Sequence, residues 1–187
     1  GFDGSHMWVT NYGDNTVSKI NVSTNAVTAT VNVGSLPWYV GFDGSHMWVT
    51  NYGDNTVSKI NVTTNAVTAT VTVGNGPYGV AFDGSHMWVT NFGDNTVSKI
   101  NVSTNAVTAT VPVGNDPDGV GFDGSHMWVT NFGDDTVSKI NVSTNAVTAT
   151  VNVGNAPTGV AFDGSNMWVA NNNAGTVSKI NVATNAV

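Results

Sequence analysis

The stretch FDGSHMWVT begins at residue 2 and returns at 42, 82 and 122, and a close variant, FDGSNMWVA, stands at 162. A fixed period of 40 residues makes the repeat the unit of folding. A unit of that size cannot bury an apolar face alone and must stack on its neighbours. The 187 residues hold units 1–40, 41–80, 81–120 and 121–160 and a shorter fifth, 161–187. That is enough chain for a single domain with a real core.

Composition says what the unit is made of. Glu, Gln, Arg and Cys are absent, and Leu occurs once, at Leu36. A chain without the best helix formers, rich in Val, Thr, Asn and Gly, is all-β. In the second unit, turn signals separate four short runs. WYVGF is strand A, ended by Asp43-Gly44, a strong hairpin signal. HMWVTN is strand B and YGDN a turn. TVSKINV is strand C, ended by TTNA, and AVTATVTV is strand D, alternating with a period of two. GNGP leads into the next unit.

Four antiparallel strands in 40 residues, repeated, are the arithmetic of a β-propeller blade. Blades stack face to face, so the sheet should be buried on both sides. Strand B carries Trp8, Trp48, Trp88, Trp128 and Trp168. These rings should fill the wedge between blades, with each N–H finding a backbone carbonyl. Met7 and its copies should pack beside them.

Residues 77–114, PYGVAFDGSHMWVTNFGDNTVSKINVSTNAVTATVPVG, resemble the YVTN-type β-propeller repeat, whose motif reads WVTN here, at Trp8 to Asn11 and its copies. The resemblance runs along the whole chain. It implies a propeller, usually of about seven blades, of the kind found in secreted, surface-layer and periplasmic proteins. Streptogramin lyases share similar blades. Their activity requires a His and carboxylates holding magnesium near the channel, and a chain without Glu departs from that pattern. The resemblance therefore implies a fold more than an activity. Five units are awkward for closure. The first lacks the PxxV lead-in to strand A and the fifth stops near the start of strand D. Either five blades close a small ring with one outer strand missing, or they form an arc completed by further sequence or by other copies, as a homo-oligomer.

Charge narrows the partners. The net charge is −7, with five Lys, against the clustered cations that nucleic acid or an anionic membrane surface requires. No apolar run approaches the roughly 20 residues of a spanning helix. Without Cys the redox compartment is unreadable. The Asn, Thr, Ser and Gly richness points to a secreted or cell-surface protein.

The units differ mainly in the D–A loop: GSLPWY at 34–39, GNGPYG at 74–79, GNDPDG at 114–119 and GNAPTG at 154–159. Gly and Pro hold the frame while Leu36, Gly76, Asp116 and Ala156, and then Trp38, Tyr78, Asp118 and Thr158, change; Tyr39 is also particular to its unit. Variable loop tips on a rigid scaffold are where binding sits. Leu36, Trp38, Tyr39, Tyr78, Asp116, Asp118 and Thr158 are thus the candidate site, for a carbohydrate or protein ligand. Drift at an exposed turn is the competing reading. The B–C turns should share that face, and Asp14, Asp54, Asp94, Asp134 and Asp135 could hold calcium weakly, although Asn, Gly and Asp are also what turns require.

No catalytic constellation is expected, and no resident cofactor or metal. His6, His46, His86 and His126 fall one per unit at the A–B hairpin, on the opposite face, where each should bond its own Asp-Gly turn. Lys19, Lys59, Lys99, Lys139 and Lys179 should be tethered to a nearby Asp with their stems packed between blades. Asn21, Asn61, Asn101 and Asn141 open N-x-[ST] sequons. The fifth unit departs most, at Asn166, Ala170, Asn173, Ala174 and Ala183, as terminal repeats do.

Overall fold

A computed structural model describes all 187 residues. They form eighteen strands in five antiparallel sheets, taken in chain order. The first sheet holds β1 (His6–Asn11), β2 (Thr16–Asn21) and β3 (Val27–Asn32), with Phe2 bridged to Met7 where a further strand would lie. The second holds β4 (Pro37–Phe42), β5 (His46–Asn51), β6 (Thr56–Asn61) and β7 (Val67–Thr72). The third holds β8 (Pro77–Phe82), β9 (His86–Asn91), β10 (Thr96–Asn101) and β11 (Val107–Pro112). The fourth holds β12 (Pro117–Phe122), β13 (His126–Asn131), β14 (Thr136–Asn141) and β15 (Val147–Asn152). The fifth holds β16 (Pro157–Phe162), β17 (Asn166–Asn171) and β18 (Thr176–Asn181). Each sheet is a meander whose strands pair in chain order. Strands A to D of the sequence reading are β4 to β7, and strand A starts one residue early, on Pro37, where no ladder donor is needed. Gly44, at φ +97°, turns β4 into β5.

Consecutive sheets pack through four near-identical clusters. Trp8, Val17 and Val31 of the first sheet meet Met47, Val49 and Ile60 of the second. Trp48, Val57 and Val71 meet Met87, Val89 and Ile100, and the pattern continues to Trp128 against Met167. Alternation along β5 sends Met47 and Val49 backward and Trp48 forward, so one strand feeds two clusters. The opening strands β4, β8, β12 and β16 also pack side by side. Strand D differs from its neighbours: only Val71 of β7 is buried, so burial on both faces holds for strands B and C of the inner sheets, is partial for strand A, where β4 exposes Trp38 and Tyr39, and fails for the outermost strand.

Polar groups pin the stacking. Thr10, Thr50, Thr90 and Thr130 donate across to the carbonyls of Trp38, Tyr78, Asp118 and Thr158 at 2.6–2.8 Å. The lysines reach across as well, and here the expected partner is wrong. Lys19 Nζ donates to Val62 O at 2.6 Å and Asn65 Oδ1 at 3.2 Å, and lies 5.2 Å from the centroid of the Trp8 ring. The ammonium is buried between sheets, where a neighbouring carbonyl, amide oxygen and ring face are the acceptors within reach. The Trp N–H also departs from expectation. Trp48 Nε1 donates to the carboxylate of Asp43 at 2.7 Å rather than to a backbone carbonyl. The same carboxylate accepts the amides of Ser45 at 2.8 Å and His46 at 2.6 Å, so one Asp closes the hairpin and anchors the core ring.

Candidate functional site

The D–A loops and B–C turns lie together at one end of the sheets. Ser35 N donates to Asp54 Oδ2 of the second sheet's B–C turn at 2.7 Å, and Leu36 N to Asn15 Oδ1 of the first sheet's B–C turn at 2.9 Å. Asp94, Asp134 and Asp135 accept loop amides in the same way, at 2.6–2.8 Å. These carboxylates fasten loops, and no three His or Asp side chains gather anywhere as a metal group. The histidines sit at the other end, each with Nδ1 2.8 Å from the hydroxyl of the preceding Ser.

The structure divides the candidate residues into two columns. Leu36, Gly76, Asp116 and Ala156 occupy a left-handed position, with φ of 52°, 61°, 52° and 54°. Leu36 and Asp116 lie against Gly53 and Gly133 of the B–C turn, so this column shapes the loop.

The second column forms a row. Trp38, Tyr78, Asp118 and Thr158 stand on adjacent opening strands, β4, β8, β12 and β16. The Trp38 and Tyr78 rings stack with centroids 4.6 Å apart. Tyr39 lies 6.1 Å from Tyr78. Three aromatic residues of the B–C turns, outside the candidate set, complete the cluster. Tyr12 meets Trp38 edge-on at 5.0 Å, Tyr52 meets Tyr78 at 6.1 Å, and Phe92 meets Tyr78 at 5.6 Å. Their signal was available: an aromatic residue follows WVTN in each of the first four units. Thr158 ends the row, its hydroxyl 3.5 Å from Ala170 O.

Asp118 is the unusual member. It is 6 % exposed, and its Oδ1 is buried with no hydrogen-bond partner. Burial pushes its carboxyl up to about 6. Burial, and then the charge of Asp118, push the Tyr78 phenol up to about 12 and raise Tyr39 as well. A raised carboxyl makes a signed prediction. Above about pH 6 the ion is buried and folding carries the full penalty; between about 6 and 3.8 the folded chain takes up the proton first and gains stability. The stability of Asp118→Asn relative to wild type is therefore expected to fall by about 2 kcal/mol between pH 7 and pH 4, measured by urea unfolding at each pH.

Beside the row lies a small cavity of about 120 Å³, lined by Gly79, Gly119, Gly159, the valines that follow them, and Tyr39. Tyr39 thus stands where the other units keep glycine. Three larger clefts of about 490–590 Å³ recur at the outer rim with the same lining in each unit, such as Asp54, Thr56 and Thr70 in one and Asp94, Thr96 and Thr110 in the next. They follow from the repeat, whereas the aromatic row follows from what varies.

A scan against protein-family models finds no match, and a search of curated proteins finds none. Among solved structures the chain is similar to Kuenenia stuttgartiensis hydrazine synthase, with a TM-score of 0.79 and 18% identity. That likeness covers 96% of this chain and 64% of the other. At this identity it bears on the fold alone: an all-β chain of repeated antiparallel sheets.

Proposed function

We propose that the five sheets are blades of a β-propeller of the YVTN type. In this reading the protein is a non-enzymatic, secreted or cell-surface binding module, and its D–A loop face takes a carbohydrate. The period, the meander and the face-to-face stacking through Trp support the propeller. One observation carries the binding: the row of Trp38 and Tyr78 leads to Asp118, an acid buried without a donor from the protein. A buried acceptor left unpaired costs stability, and a ligand donor would offset that cost. Sugar hydroxyls are such donors, and the apolar face of a pyranose suits an aromatic surface.

Screening on a glycan array, followed by titration of the best binder, tests this. Trp38→Ala and Asp118→Asn are each expected to weaken binding about tenfold or more, as loss of a charged hydrogen bond or an aromatic contact would. Binding should strengthen as pH rises through about 6, where Asp118 ionises. Binding that survives both substitutions would place the ligand elsewhere, and a protein bound through the same residues would replace the carbohydrate. Assembly with other chains is favoured by a separate observation, the apolar side chains Met7, Val9, Trp168 and Val177 exposed on the two end sheets.

A further inference from the structure

The two end sheets expose the halves of the contact that the inner sheets bury. At every inner boundary Met, Val and Ile of one unit insert against Trp and Val of the unit before. The methionine is a knob. A Cβ placed on Gly41 would lie 3.2 Å from Met87 Cε, and one on Gly121 would lie 3.2 Å from Met167 Cε. Met47, Met87, Met127 and Met167 are all 0 % exposed. Met7 and Val9, their counterparts on the first sheet, are 41 % and 44 % exposed.

The matching hole lies on the fifth sheet. Ala161, Trp168, Ala170 and Val177, with Gly159 and Val160, line an apolar groove of about 350 Å³. Trp168 and Val177 are 40 % and 62 % exposed, while Trp128 and Val137 in the unit before are fully buried. Polar groups match too. Lys139 donates to Val182 O and Asn185 Oδ1 of the following unit. Lys179 is exposed over the Trp168 ring, and the same register on the first sheet offers Val22 O and Asn25 Oδ1. Two tethers are lost, because Ala170 replaces the bridging Thr and Gly175 replaces the residue that accepts the next loop amide. The outer contact is therefore weaker than the inner four.

The geometry points to a second copy of this chain as the occupant of both faces: the Met7 face of one copy docks into the Trp168 groove of another, head to tail. Such a contact joins two different surfaces, so it either closes a ring or continues as a filament.

Light scattering of the 187-residue chain from micromolar to millimolar concentration is expected to show a mass above one chain, rising with concentration. Met7→Asp and Val177→Asp each reduce it to one chain, with circular dichroism unchanged because both positions are exposed. Val9→Lys is a second variant on the Met7 face, should Met7→Asp disturb folding. An equimolar mixture of Met7→Asp and Val177→Asp chains gives a dimer and nothing larger, because one intact face of each kind remains. A wild-type mass of one chain at every concentration overturns the proposal. So does a folded Val177→Asp chain that still assembles, since the first face would then pair with itself.

Discussion

Asp83→Ala is expected to lower the stability of the chain by about 4 kcal/mol, close to the largest loss a single substitution usually causes. The Asp83 carboxylate accepts Trp88 Nε1 at 2.7 Å, Ser85 N at 2.8 Å and His86 N at 2.7 Å. Trp88 is fully buried between two sheets. Alanine would leave its N–H without a partner and loosen the hairpin that carries it, and each orphaned buried donor costs about 1–3 kcal/mol. Asp83→Asn should recover part of the loss, because its amide oxygen can still accept. Thermal unfolding of the three proteins decides it; a midpoint for Asp83→Ala within a degree or two of wild type would mean the carboxylate is not an anchor.

The same carboxylates set the acid limit of the fold. Burial alone would raise Asp43, Asp83 and Asp123, but the Trp N–H and turn amides outweigh it and hold all three below their ordinary value. Asp3 is lowered to about 2. A depressed carboxyl contributes stability that is complete above its unfolded value and is lost as pH falls through the folded one. Acid unfolding is thus expected between about pH 4 and pH 2.

Gly119→Ala is expected to cost about 3 kcal/mol, while Gly159→Ala should be nearly neutral. A Cβ on Gly119 would run into the backbone oxygen of Thr158, and backbone cannot swing aside as a side chain does. The same atom on Gly159 meets nothing within 4 Å. The two positions are equivalent in the repeat, and only Gly119 has a following opening strand against it, so the comparison reports the close approach of neighbouring opening strands. Urea unfolding should show a lowered midpoint for the first variant only. Equal effects would mean the inner strands are looser than the structure shows.

Much of the fold was legible because it is written five times. Recurring Asp-Gly, WVTN and alternating Val-Thr segments place the strands to within a residue. What was not legible lies between units. The acceptors of Lys19, at Val62 and Asn65, are more than forty residues away, and nothing local in the sequence points to them. The Asp–Trp bond spans only five residues, from Asp43 to Trp48, and recurs in every unit, so its constant spacing was a usable signal. At the loop face, variation singled out Trp38, Tyr78 and Asp118 together with Leu36 and Asp116. The first three share a row, whereas Leu36 and Asp116 occupy left-handed positions against the B–C turn. Loop spelling alone does not reveal which of two nearby residues turns toward its neighbours.

The most direct test of the loop face as a site, rather than a drifting turn, is an NMR titration of the Asp118 carboxyl carbon in the folded protein. The account predicts a midpoint of about 6, moving toward the ordinary carboxylate value in Tyr39→Gly and Tyr78→Gly, which open the acid to water. A midpoint near 4 in wild type, unmoved by either substitution, would show a solvated acid on an ordinary turn and contradict the account.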